Sequence, residues 1–380
     1  VTALPPLEAL PPVRVEEIEL LRLRLPLAVP LRGATGDRRE RTVLLVHVRA
    51  AEAEGWAECA VEAAPTYSPE FLAATELVLG QHLVPRALAG PTGDALALGP
   101  HLDEVRGHQM ARAALELAVL DAQLRAAGRS LAGWLGAEAS GVRPGAALGL
   151  HDTVEALLLE ADAALGAGAA RLRVKVAPGA AAAPLLALRA HVGPDVILQA
   201  DANGSFRAAA ADHLRELQDL DAAGLACLEQ PLPPDDLLGH QQLASRLATP
   251  ICLDEPMTSL GAVEAAAALG ACSVVCLKPA RVGGWIAARA VHDRCLELGL
   301  GVWVGGMLET GVGRAANVAV AALPGMALPP DLDPRGRFDP DLADPLLPHD
   351  GVVAVPEGPG AGAVPQLEGL DVATVGAWRP

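Results

Sequence analysis

Five charged residues recur along this chain at nearly one interval: Lys175, Asp201, Glu229, Asp254 and Lys278. The steps between them are 26, 28, 25 and 24 residues, by subtraction of the residue numbers. Each closes a short apolar run that reads as a β-strand, as in Leu172–Lys175, Val196–Asp201 and Val274–Lys278. About 25 residues is one strand, one helix and two loops. Strand and helix in strict alternation imply parallel strands. The chain therefore sets three carboxylates between two lysines at the C-terminal ends of five successive parallel strands. That end is where (β/α)8 barrels build their active sites.

The alternation extends in both directions. A strand over Gly145–Leu150 precedes the five, and one over Gly301–Val304 follows them. A helix-like stretch, Gly313–Leu323, comes next, and an eighth strand is short or replaced near Met326–Leu332. The expected fold is α/β: a TIM-type (β/α)7β barrel over residues 137–333. Thr153 is a weak helix cap, because its glutamate follows two residues later rather than three.

The first third reads differently. Val15–Leu25 and Thr42–Arg49 resemble the strands of a hairpin, joined by a polar, glycine-containing link over Arg32–Arg41 that is expected to be mobile. Gly55–Cys59 makes a third strand, a loop runs through Pro65–Pro69, and Met110–Ala127 has helical apolar spacing. Residues 1–136 are expected to form an α+β capping domain, with the irregular segment 334–380 packing back on it.

Composition narrows the function. With 29 basic and 46 acidic residues, the net charge of −17 argues against nucleic acid or an anionic membrane as a partner. An anionic small molecule stays admissible, because a bound metal reverses the local field. Uncharged stretches reach only 16 residues, at Ala315–Pro330, too short and too broken by proline to span a bilayer. Val1–Pro6 does not begin a basic-then-apolar signal segment. Six cysteines without a CxxC pair read as buried small hydrophobes in a reducing cytoplasm.

Three carboxylates converging on one point need a counter-charge. A hard divalent cation with open positions, Mg2+ rather than Ca2+, meets that need. Such an ion binds a substrate carboxylate and stabilises the enediolate left when the α-proton departs. Arg173 lies two residues before Lys175 and so faces the same side. Its fixed charge and the metal favour the neutral amine of Lys175, which then takes the α-proton. Lys278, four strands away across the mouth, returns a proton on the other face or lends its charge to the intermediate.

The order Lys-Asp-Glu-Asp-Lys resembles the enolase superfamily, muconate-lactonizing subgroup. The wording is more similar still to the o-succinylbenzoate synthase and N-succinylamino acid racemase family. Matching stretches include Arg173-Val-Lys-Val-Ala-Pro-Gly179, Asp201-Ala-Asn203, Glu229-Gln-Pro-Leu232, Leu277-Lys-Pro-Ala-Arg-Val-Gly-Gly284 and Gly305-Gly-Met-Leu-Glu-Thr-Gly311. The resemblance implies Mg2+, with Mn2+ as a substitute, on Asp201, Glu229 and Asp254, and Lys175 and Lys278 as the acid/base pair. It implies substrate contacts from Asn203, Gly306 and Met307. Arg281 is similar to an arginine associated in the family with racemase activity. The implied reactions are dehydration to o-succinylbenzoate in menaquinone biosynthesis and racemisation of N-succinylamino acids. Dipeptide epimerase or another cycloisomerase is the alternative, and a non-catalytic ligand-binding barrel a remote one. The resemblance also implies a homo-oligomer, dimer or octamer, with the 32–41 link and the Tyr67 loop closing over a small carboxylate substrate.

The chain departs from these relatives at substrate-facing positions. Arg173 stands for a lysine, Ala147 for a serine, Cys276 for an asparagine, and Thr35 for an aromatic residue. Asp331-Leu-Asp333 is similar to the Asp-x-Asp that binds a substrate ammonium in dipeptide epimerases, yet is expected to serve a loop. His151-Asp152 reads as a solvated loop pair and Gly283-Gly284 as a tight helix start.

Overall fold

The antiparallel sheet comes first in the chain. β1 (Val15–Gly33), β2 (Gly36–Ala50) and β3 (Glu54–Cys59) form it in the order β13-β1-β2-β3, where β13 is Ala373–Trp378 at the far end of the sequence. β13 lies antiparallel to β1, with Ile18 opposite Trp378 and Arg22 opposite Ala373. The computed structural model describes residues 4–33, 36–179 and 181–380.

In its described residues, 32–33 and 36–41, the polar link is strand rather than loop. Its backbone continues the hairpin, pairing Pro26 with Glu40, Arg32 with Asp37 and Gly33 with Gly36. Strand pairing uses main-chain groups, so charged side chains do not prevent it. The register shifts between Pro26 and Leu31, where Pro26 and Pro30 offer no N–H. Thr35 lies outside the described residues.

A helix over Gln109–Ala126 packs along this sheet and is buried on almost every side. Gly55 makes the close approach to it possible: a Cβ there would lie 2.0 Å from the Ala118 carbonyl oxygen. Asp121 of the helix accepts from the Trp56 amide at 2.8 Å, and Glu116 from the Trp285 amide at 2.7 Å. The helix thus joins the sheet to the segment after the lysine at 278.

A two-stranded ribbon of β4 (Gly141–Val142) and β12 (Val353–Ala354) precedes the second sheet. That sheet holds β5 (Gly145–Leu148), β6 (Arg171–Lys175), β7 (Ile197–Asp201), β8 (Cys227–Glu229), β9 (Ile251–Leu253), β10 (Val274–Leu277) and β11 (Gly301–Val304). They pair in sequence order, all parallel, as a curled half-barrel. A helix separates each strand from the next, beginning with Val154–Gly166, whose cap Thr153 accepts from the Ala156 amide at 3.2 Å. At the open side, the segment before Asp333 touches both edge strands. Asp331 donates its amide to Val304 of β11 at 3.0 Å, and Gly145 of β5 donates to Pro330 at 2.7 Å.

Residues two apart on each strand share the inner face. Beneath the rim this puts Arg173, Gln199, Cys227, Cys252, Cys276 and Trp303 in one buried layer. All six cysteines are free and buried. Among the described residues no helix is long and apolar enough to cross a membrane.

Candidate active site

The rim charges emerge where the strands end, because each apolar run stops at the mouth of the sheet. Asp201, Glu229 and Asp254 are fully buried. Lys175 Nζ lies 2.6 Å from Asp201 Oδ2 and donates to Asn203 Oδ1 at 2.5 Å. Lys278 Nζ lies 2.9 Å from Asp254 Oδ2 and donates to the Tyr67 hydroxyl at 2.5 Å. One cleft receives both lysines together with Tyr67, Ala147, Asn203 and Met307.

The layer below fixes the carboxylates. Arg173 bonds Asp201 and reaches Glu229 Oε1 at 3.3 Å and Asp331 Oδ2 at 2.5 Å. Gln199 donates to Glu229 Oε2 at 2.6 Å. Arg171 joins Gln199 and Asp331, and its guanidinium carbon sits 4.2 Å from the centre of the Trp303 ring. Asp331 is therefore a counter-ion inside the sheet, correcting its expected loop role. Burial would raise its carboxyl, but Arg173 and then Arg171 outweigh that and hold it at about 2. Asp333 is also engaged, by Arg335 at 2.6 Å and Arg337 at 2.5 Å.

The acids differ in their fields. Burial, against Arg173 and with Asp201 and Asp254 adding, pushes Glu229 up to about 8. Burial is outweighed at Asp254 by Arg281 and Lys278, which hold it well below the usual carboxylate range. Lys278 is the converse: burial opposes its charge, yet Asp254 and then Tyr67 keep it firmly protonated. Arg281 donates to the Asp254 carbonyl at 2.7 Å, bonds its carboxylate and reaches Tyr67. It stands directly behind the lysine.

Backbone strain gathers here. Asn203 (φ 44°), Gln230 (φ 39°) and Leu308 (φ 61°) are left-handed without being glycine, and they follow β7, β8 and β11. Such geometry persists only where surroundings impose it. The Asn203 turn brings its amide to Lys175 and, at 3.0 Å, to Glu255. Gln230 accepts from the Asp254 amide at 3.0 Å.

Carboxylates already take the amides of Gly306 and Met307: Asp331 at 3.3 Å and Glu309 at 2.7 Å. The antiparallel sheet steadies this loop, since Arg41 donates to the Met307 carbonyl and Glu58 accepts from the Thr310 amide at 2.9 Å. His151 pairs with Glu160 at 2.6 Å.

Among the described residues, Glu229, Asp254 and Cys276 present ligand atoms within 4.8 Å of one another. Asp201 stands outside that trio because its carboxylate turns to Arg173 and Lys175. Burial drives the Cys276 thiol well up, so it stays protonated beside the carboxylates. Sequence reasoning missed Gln199 and Arg171, and it brought the Tyr67 loop over the mouth without naming the partners of the hydroxyl. The first two carried a signal, each lying two residues before a singled-out residue on the same face.

A family model described as "Enolase C-terminal domain-like" matches residues 155–369. An N-succinylamino acid racemase of Amycolatopsis sp is 43% identical over 368 residues, covering 96% of this chain and 99% of the relative. An o-succinylbenzoate synthase of Geobacillus stearothermophilus is 36% identical over 353 residues, covering 92% and 93%. The crystal structure of an enolase superfamily member from Listeria innocua superposes with a TM-score of 0.89 at 30% identity, covering 96% of this chain and all of the other. With that breadth of match and this architecture, the chain belongs to the enolase superfamily.

Proposed function

We propose that this enzyme removes the proton α to a carboxylate, acting on N-succinylamino acids as a racemase, on the precursor of o-succinylbenzoate as a dehydratase, or on both. One observation carries the reading: Lys175 and Lys278 enter one cleft from strands four apart, with buried carboxylates between them. In racemisation one lysine takes the α-proton and the other delivers a proton to the opposite face. In syn-dehydration a single lysine takes the proton and then returns it to the departing hydroxyl, while the other lends charge. Similarity to both a racemase and a synthase supports keeping the two reactions together. The dipeptide epimerase alternative is not favoured, because Asp331 and Asp333 already hold arginines.

The architecture behind this reading is a (β/α)7β barrel over residues 137–333, in which the segment at Pro330–Leu332 is the eighth strand. Its hydrogen bonds to β5 and β11 support that closure. Residues 1–136 and 334–380 form the cap, supported by the pairing of β13 with β1.

Mg2+, with Mn2+ as a substitute, fits Asp201, Glu229 and Asp254. The three carboxylates are fully buried, and burial, with Asp201 and Asp254 adding, pushes Glu229 up to about 8, which a cation beside it would relieve. The donors are hard oxygens, and the neighbouring thiol stays protonated. When bound, the ion supplies Lewis acidity that lowers the energy of a substrate carboxylate gaining charge. The chain's own residues do the rest. Arg173 and Gln199 orient the acids, and Asn203 and Tyr67 hold the two lysine nitrogens.

Exchange of the α-proton of N-succinylphenylglycine in D2O, run beside a synthase assay, tests the proposal. Exchange or dehydration is expected. Absence of both with Mg2+ present overturns it, as does full activity in Lys175→Ala.

A further inference from the structure

We propose that Tyr67 is a positioning residue for Lys278, reaching in from the antiparallel sheet to set one face of the proton transfer. The inference rests on the α-proton chemistry proposed above and adds a residue to it.

Tyr67 is the chain's single tyrosine. It sits in the loop after β3, among exposed neighbours from Ala63 to Thr66, yet its own side chain is partly buried in the cleft. The hydroxyl makes every bond a phenol can make. It donates to Asp254 Oδ2 at 2.8 Å, accepts from Lys278 Nζ at 2.5 Å and accepts from Arg281. The lysine nitrogen is 5.0 Å from the ring centre, so it reaches the hydroxyl rather than the ring face.

That saturation has a consequence. An ammonium has three donors. Asp254 and Tyr67 hold two of those on Lys278, which leaves one to aim at a substrate. Without the hydroxyl, Lys278 and Arg281 each lose an acceptor and are left with Asp254 alone, Lys278 through Oδ2 and Arg281 through Oδ1 and the carbonyl. The ammonium is then free to swing toward the carboxylate and off the reaction line. Lys175 is insulated from this change, because its partners are Asp201 and Asn203 and neither touches Tyr67. The effect is therefore one-sided. Because Tyr67 belongs to a segment outside the parallel sheet, seating that segment also orders Lys278.

The test follows exchange of the α-proton in D2O separately for the two enantiomers of N-succinylphenylglycine, with Mg2+ present. Lys278→Ala first identifies the enantiomer whose exchange depends on Lys278. Tyr67→Phe keeps the ring and removes the hydroxyl. It is expected to slow that enantiomer by about tenfold or more, while the other stays within about twofold. Thr66→Ala, an exposed change on the same loop, should leave both rates as in the wild type, and matching melting curves confirm folding. Equal slowing of both enantiomers, or of neither, overturns the role of Tyr67 and leaves the α-proton chemistry intact. Failure of the wild type to exchange either enantiomer overturns the chemistry, and this inference with it.

Discussion

The two lysines of the cleft occupy settings of different origin. Lys175 is 18% exposed and is held by Asp201 and Asn203, both from the parallel sheet and its loops. Lys278 is 4% exposed and is held by Asp254, with Arg281 behind it and Tyr67 arriving from the antiparallel sheet. The first setting is local: its charged and amide partners lie 26 and 28 residues away, one strand–helix unit along. The second spans 211 residues of sequence. An enzyme that uses both faces of one carbon can therefore adjust the Lys278 side through its cap while leaving the Lys175 side fixed.

The bluntest way to break the comparison is to remove each lysine. Lys175→Ala and Lys278→Ala should each stop exchange of one enantiomer, by a factor on the order of 10²–10⁴, and both should stop racemisation. Chiral chromatography and proton NMR in D2O read the two effects. If either variant silences both enantiomers equally, the lysines do not divide the faces.

Asp331 supports the Lys175 side from below. It neutralises Arg171 and Arg173, which are buried beneath the rim. Asp331→Ala leaves those guanidinium groups short of a counter-ion, and breaking a buried pair this way costs about 3–5 kcal/mol. Denaturant unfolding should show that loss. An unchanged midpoint would mean that water replaces the carboxylate.

Glu116 seats the antiparallel half against the segment after Lys278. Its Oε1 accepts from the Trp285 amide at 2.7 Å and the Ile286 amide at 3.2 Å. Burial lifts its carboxyl from 4.5 to about 7, with both amides pulling the other way. Between those values the folded chain holds a proton that the unfolded chain has released. The stability from this group is complete below 4.5 and is lost as pH rises through about 7. The loss is at most about 3 kcal/mol. Glu116→Gln keeps the acceptor without the titration, so its melting temperature should fall less than the wild type's between pH 5 and 8 (roughly the window set by the shift). Parallel curves for the two proteins would count against this account.

The same contrast explains what the sequence could reveal. A strand that ends in a charged residue writes its role locally, so five of the seven parallel strands and their rim charges were legible from apolar runs and spacing, and β5 and β11 from the alternation that flanks them. Gln199 and Arg171 were legible in principle through the two-residue period. Contacts from Tyr67, Arg41, Glu58 and Glu116 were not, because each crosses at least 169 residues and no local pattern encodes such a partner. Asp331 was misread for that reason: its arginines lie 158 and 160 residues away. The hairpin link was misread because glycine and charge signal a loop, while backbone pairing is indifferent to them.

The finest test mirrors the Tyr67 experiment on the opposite side. Asn203 sits at φ 44° and gives its amide oxygen to Lys175 at 2.5 Å. Asn203→Gly removes the amide and keeps the left-handed turn free of strain, which alanine would not. Losing one bond to the lysine nitrogen should slow the Lys175-dependent enantiomer by about tenfold, and leave the Lys278-dependent one within about twofold. If the two settings are independent, the Tyr67→Phe and Asn203→Gly effects add in the double variant, since neither side chain bonds the other's lysine. Strong non-additivity would mean that the shared carboxylates couple the faces, and the two lysines would then have to be described as one titrating unit.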